Sequence, residues 1–64
     1  MRQAAAAGTA DELARVTGVP ARTIRAWAAA GQLLSVDHVR RGTRQAARYD
    51  VRMVMRLAAR RGSA

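Results

Sequence analysis

Arginine is the residue type of this chain with a defined chemistry to offer. All 12 basic residues among the 64 are arginine, and only four carboxylates oppose them, which leaves a formal net charge of +8 and a sequence pI near 12.0. A guanidinium is planar, permanently charged and carries its donors in a fixed fork that matches phosphate oxygens, so clustered arginines are the footprint of a polyanion binder. Spacing sorts them into Arg22 with Arg25, then Arg40, Arg41 and Arg44 around Gly42, then Arg52, Arg56 and Arg60 at every fourth residue. A GC-rich genome also favours Arg, Ala and Gly codons. That bias explains arginine over lysine but does not hold the acidic residues down to four. Nucleic acid is the first partner the charge implies, ahead of an acidic membrane surface or an acidic protein.

Other chemistries have little to work with. Ser35 and Ser63 lack any histidine and carboxylate arrangement around them, and His38 stands alone, which reads as a strand-surface residue rather than a metal ligand. With no cysteine there is neither a disulfide framework nor a thiolate metal site. The expectation is a protein that is not an enzyme and uses no cofactor or metal. No stretch approaches the ~20 apolar residues that span a bilayer, and the N-terminus lacks a secretory apolar segment, so a cytoplasmic, nucleoid-associated protein is expected.

The glycines mark where each periodic pattern stops. Residues 1 to 8 carry no amphipathic pattern and read as a flexible tail. Thr9 with Glu12 three residues on is a capping-box signature, and Asp11 and Glu12 put negative charge in a first helical turn. Ala10, Leu13, Ala14 and Thr17 then share one face, bordered by Val16, and Gly18 can end the helix in a left-handed conformation. Pro20 suits the first turn of a second helix, leaving a break of about three residues; Ile24, Trp27 and Ala28 form that helix's apolar face and Gly31 closes it. The alternation in Ser35-Val36-Asp37-His38-Val39 predicts a strand, Gly42 a hairpin turn, and Arg44 to Tyr49 the returning strand. Asp50 caps a last helix to about Arg61, with apolar positions at Val51, Val54, Met55, Leu57 and Ala58 and a short tail over residues 62–64.

Half of the hydrophobic residues are alanine, so a core must come from Leu13, Val16, Val19, Ile24, Trp27, Leu33, Leu34, Val36, Val39, Tyr49, Val54 and Leu57. A domain of this size buries only about 60% of its unfolded surface, so its stability is expected to be modest and open to increase by a partner.

Ala14, Gly18 and Ile24 stand at the relative positions where a helix-turn-helix needs a small residue between the helices, a turn glycine and an apolar lock. The run from Thr9 through Thr23-Ile24-Arg25-Ala26-Trp27 resembles the N-terminal domain of MerR-type regulators, and the Thr-Ile-Arg-x-Trp form is similar to stand-alone winged modules such as phage excisionases and BldC-like regulators. Gly31-Gln32-Leu33-Leu34 and Arg48-Tyr49-Asp50 with Val54 and Leu57 continue the resemblance, which covers residues 9 to 61. Pro20 replaces the hydroxyl residue that often caps the recognition helix, and Ala26 replaces an arginine common before the tryptophan in excisionases.

The resemblance implies a mainly α fold with a small β-hairpin: a winged helix-turn-helix with a two-stranded wing and a C-terminal helix. It implies double-stranded DNA as partner, the second helix lying in the major groove and the wing reaching the adjacent minor groove. Arg22, Thr23, Arg25 and Ala26 then line the recognition surface, with Arg22 the leading base reader. Contact of Arg22 and Arg25 with phosphate alone is an equal alternative, because half to two-thirds of protein–DNA hydrogen bonds go to the backbone. Arg40, Arg41 and Arg44 belong to the wing, against the alternative of a solvated basic loop. Arg15, Trp27, Arg48, Arg52 and Arg56 are candidate phosphate contacts, Trp27 being first a packing residue. The stripe Arg52, Arg56 and Arg60 repels itself, which fits an anionic partner or equally a solvated face.

Two jobs follow: a small sequence-specific transcriptional regulator, or an excisionase-like factor that directs recombination. The alternative is a basic protein-interaction module with only non-specific DNA affinity. With one recognition helix, binding to tandem sites with neighbouring copies of itself is expected, and an integrase or RNA polymerase is a candidate partner. The family's long dimerising helix and effector domain are not in this sequence, so no small-molecule effector is expected.

Overall fold

The computed structural model describes residues 6–62. Its elements follow the order β1 (Ala7–Thr9), α1 (Ala10–Thr17), α2 (Ala21–Ala29), β2 (Ser35–Arg41), β3 (Arg44–Asp50) and α3 (Val51–Gly62). The three strands form one antiparallel sheet in the order β1-β3-β2.

The expected helices form where the caps place them. The Thr9 hydroxyl accepts from the Glu12 backbone N–H at 3.3 Å, and a Glu12 carboxylate oxygen accepts from the Thr9 N–H at 2.8 Å, closing the capping box at the start of α1. Gly18 ends α1 at φ 80°, a conformation that costs a residue with a Cβ roughly 1–2 kcal/mol. In the turn, the Thr17 hydroxyl donates to the Leu13 carbonyl at 2.7 Å and accepts from the Val19 N–H at 3.1 Å. Pro20 is the N-cap of α2 and contributes no side-chain bond; its carbonyl instead accepts from the N–H groups of Thr23 and Ile24. The other end of α2 closes as a Schellman motif, with Gln32 N–H bonded to the Trp27 carbonyl and Gly31 N–H to that of Ala28. Asp50 caps α3, its carboxylate accepting from the Arg52 N–H at 2.8 Å.

The tail reading of residues 1 to 8 changes at its inner end. Ala7 and Gly8 extend β3 as a third strand, Ala7 opposite Asp50, Gly8 opposite Tyr49 and Thr9 opposite Arg48. An Ala-Gly-Thr run has neither alternation nor β-branched content before the threonine, so this strand is created by the free edge of β3 rather than by its own propensity. Residues 1–5 lie outside the described residues. At the other end, Gly62 closes α3 rather than opening a tail, while 63–64 are outside the described residues.

Ala10, Leu13, Val19, Ile24, Leu33, Tyr49 and Val54 form the core, and Ile24 and Val54 are wholly buried. Trp27 and Leu57 pack against it partly buried, and Val39 is half-buried. Three expected core residues are exposed: Val16 at 73%, Leu34 at 76% and Val36 at 56%. Val16 falls at the margin of the α1 stripe set by Ala10, Leu13, Ala14 and Thr17, too far round the helix to turn inward. Leu34 follows the buried Leu33 at the entry to β2, and Val36 sits in a register irregularity between Ser35 and Asp37, where it has no partner across the ladder.

Candidate nucleic-acid interface

Helix α2 packs its Ile24 face, with Ala21, Trp27 and Ala28, onto the core. The 100° step per residue therefore turns Arg22, Arg25 and Ala26 outward, and all three are exposed while Thr23 is half-buried. The recognition residues expected from the sequence thus share one surface, held from behind by a fully buried isoleucine and in front by the three-residue turn Gly18-Val19-Pro20.

The hairpin forms the second surface. Arg40 lies opposite Gln45 and Arg41 opposite Arg44, with Gly42 and Thr43 as the two-residue tip. Gly42 has φ 64° and among the described residues no non-glycine residue has positive φ, the pattern of a II′ turn with glycine at its first central position. All three arginines are exposed. Arg41 and Arg44 confront each other across the ladder, a like-charge pair that works against the hairpin unless an anion relieves it.

The carboxylates sort the arginines further. Arg25 donates to Asp11 at 3.0 Å, Arg41 to Glu12 at 3.5 Å and Arg48 to Asp37 at 3.1 Å. Arg48 also donates to the Ala7 carbonyl at 3.3 Å, so its half-buried guanidinium ties β1, β3 and β2 together rather than standing free for phosphate. Among the described residues, Arg15, Arg22, Arg40, Arg44, Arg52 and Arg56 have no carboxylate partner, and all are exposed. Glu12 stays ionised below the usual glutamate range, chiefly because the Thr9 N–H bonds its carboxylate, which outweighs the opposing effect of desolvation, with further help from Arg41.

Sequence reasoning did not single out Gln32 or Arg61. They line a groove with Trp27, Leu57 and Arg60 on one flank of α2, so the far end of α3 lies beside that helix. The every-fourth-residue stripe already pointed to Arg60; Gln32 carried no periodic signal. Among the described residues no three His, Cys, Asp or Glu side chains gather where a metal ion would sit, and no helix is long and apolar enough to cross a membrane.

Residues 9–61 match the family model described as MerR HTH family regulatory protein. The chain belongs to that family. No curated protein and no solved structure matches it. MerR helix-turn-helix proteins are DNA-binding transcription regulators, not a family of enzymes, so double-stranded DNA is the partner that membership supplies. The two surfaces above are the helix-turn-helix and the wing of a MerR domain.

Proposed function

We propose that this MerR-type module binds DNA sequence-specifically, with α2 in the major groove and the β2–β3 wing in the adjacent minor groove, and regulates transcription from repeated sites. Arg22 is the base reader: it is exposed, it has no carboxylate partner among the described residues, and it lies on the side of α2 away from the buried Ile24. Arginine pairs bidentately with guanine O6 and N7, a contact that discriminates by about 1–3 kcal/mol. Thr23, Arg25 and Ala26 border it. Arg40 and Arg44, with Arg41, enter the minor groove, where a narrow groove concentrates negative potential. Arg15, Trp27, Arg52 and Arg56 contact phosphates and set register without reading sequence.

One recognition helix reads few base pairs, so neighbouring copies on tandem sites supply the remaining specificity. The observation that carries this reading is the unpaired Arg22 on the outward face of α2, set beside arginines that are paired. The test is fluorescence anisotropy with duplex from the gene's own upstream region and with scrambled duplex, across a salt series. Tighter binding of the native duplex, lost at least about tenfold in Arg22→Ala while scrambled binding barely changes, is the expected result. Equal binding of both duplexes at every salt concentration would rule out base readout of that region and favour a basic module that engages an acidic protein.

A further inference from the structure

Three of the four carboxylates in this basic chain pair with arginines, and two of the three come from adjacent residues in the first turn of α1. Asp11 reaches Arg25 on the recognition helix, and Glu12 reaches Arg41 on the wing. One helical turn therefore holds an arginine from each surface assigned to DNA. Asp11, Arg25, Arg41 and Arg44 line a single cleft between α1, α2 and the hairpin. The pairs are not structural anchors: their side chains are 57% and 77% exposed in one, 61% and 56% in the other, and exposed ion pairs of this kind are weak and readily exchanged. Glu12 meanwhile cannot drift away, because its second oxygen is fixed by the Thr9 N–H.

We propose that Asp11 and Glu12 act as internal stand-ins for phosphate, occupying Arg25 and Arg41 in the free protein so that DNA gains these two contacts only by exchange. This rests on the reading that α2 and the wing face DNA. A carboxylate and a phosphate oxygen present the guanidinium with the same charge and similar geometry, so each carboxylate competes with every phosphate, whatever the sequence. The competition weakens backbone binding to every duplex alike, while Arg22, which has no such competitor, stays available for base contact. Asp11 and Glu12 in this way set the strength of backbone binding without touching DNA.

The experiment is a double-mutant cycle on scrambled duplex, read by anisotropy at fixed salt: Asp11→Asn, Arg25→Gln and the pair, with Glu12→Gln, Arg41→Gln and their pair alongside. Glutamine at position 12 keeps an acceptor for the Thr9 N–H, and thermal melts confirm that each variant is folded. The expected result is that Asp11→Asn and Glu12→Gln each tighten scrambled binding about two- to fivefold, the gain vanishing when the matching arginine is already glutamine. A gain that persists without the arginine would show a long-range charge effect and overturn the proposal, as would no gain at all. Scrambled duplex needs only backbone binding, so this outcome is separate from the Arg22→Ala comparison that tests base readout.

Discussion

Gly8 and Glu12 are packed against each other: a Cβ placed on Gly8 would lie 3.0 Å from a Glu12 carboxylate oxygen and 3.2 Å from the Glu12 Cβ. The oxygen is the one held by the Thr9 N–H, and the Cβ, though a side-chain atom, is fixed in position by the α1 backbone it is attached to. Neither can yield without loosening the capping box. Gly8→Ala is therefore expected to destabilise the domain by about 1 kcal/mol despite removing a flexible glycine, checked by thermal melting followed by circular dichroism. An unchanged or raised melting temperature would show that Glu12 moves aside freely.

Thr9 contributes the other half of that box. Thr9→Ala leaves the Glu12 N–H without its acceptor and should cost about 1 kcal/mol, while Thr9→Ser should restore most of it. Urea denaturation of the three proteins separates the cap from the loss of a methyl group, because serine retains only the hydroxyl.

Glu12 also predicts a direction in pH. Its carboxyl titrates lower in the folded chain than is usual, first through the Thr9 N–H, so folding favours the ionised form. The unfolded chain then binds more protons, and the contribution is fully present above the ordinary glutamate range and disappears as pH falls through and below it. A melting-temperature series should show Glu12→Gln losing part of the acid-side fall seen in the wild type. Identical acid limbs would contradict this.

Ile24 has no exposed surface and fastens α2 to the core. Ile24→Ala should cost about 2–5 kcal/mol, comparable with the whole stability of a domain this small. The variant is expected to be largely unfolded at room temperature, with added duplex DNA recovering helical circular dichroism.

Gly18 tests backbone conformation without packing. Among the described residues, nothing beyond its chain neighbours lies within 4 Å of a Cβ built there, so the cost of Gly18→Ala comes from φ 80° and should be about 1 kcal/mol, with Gly18→Asn costing less.

The sequence was most readable where a local rule decides the structure. Thr9 with Glu12 and Asp50 announce caps through side-chain hydrogen bonds that act within a few residues, Gly18 and Gly31 through the positive φ that the lack of a Cβ allows, and each stands where it was expected. Gly42 likewise marks the turn. What escaped depends on partners distant in sequence. β1 forms only because β3 offers an edge more than 40 residues away, as the Arg48 to Ala7 separation of 41 shows. Val36 looked like a strand residue facing inward, but the irregularity at Ser35/Asp37 is a property of the pairing and not of the valine. In the candidate interface, charge and spacing found the arginines, and the resemblance arranged them on two surfaces. Which of them are already paired required coordinates, because Asp11 and Arg25 are 14 residues apart and Glu12 and Arg41 are 29 apart.

The strand order has a temporal consequence. Arg48 and Tyr49 have partners on both sides, Thr9 and Gly8 on one and Asp37 and Ser35 on the other, whereas Arg44 to Ala47 pair with β2 alone. Opening should therefore run inward from the Gly42 tip, which makes the hairpin a graded clock: amide hydrogens near the tip exchange with solvent first and those around Tyr49 last. A strand of nucleic acid lying along the wing would register as a delay at the fast end, while the slow end kept its own time.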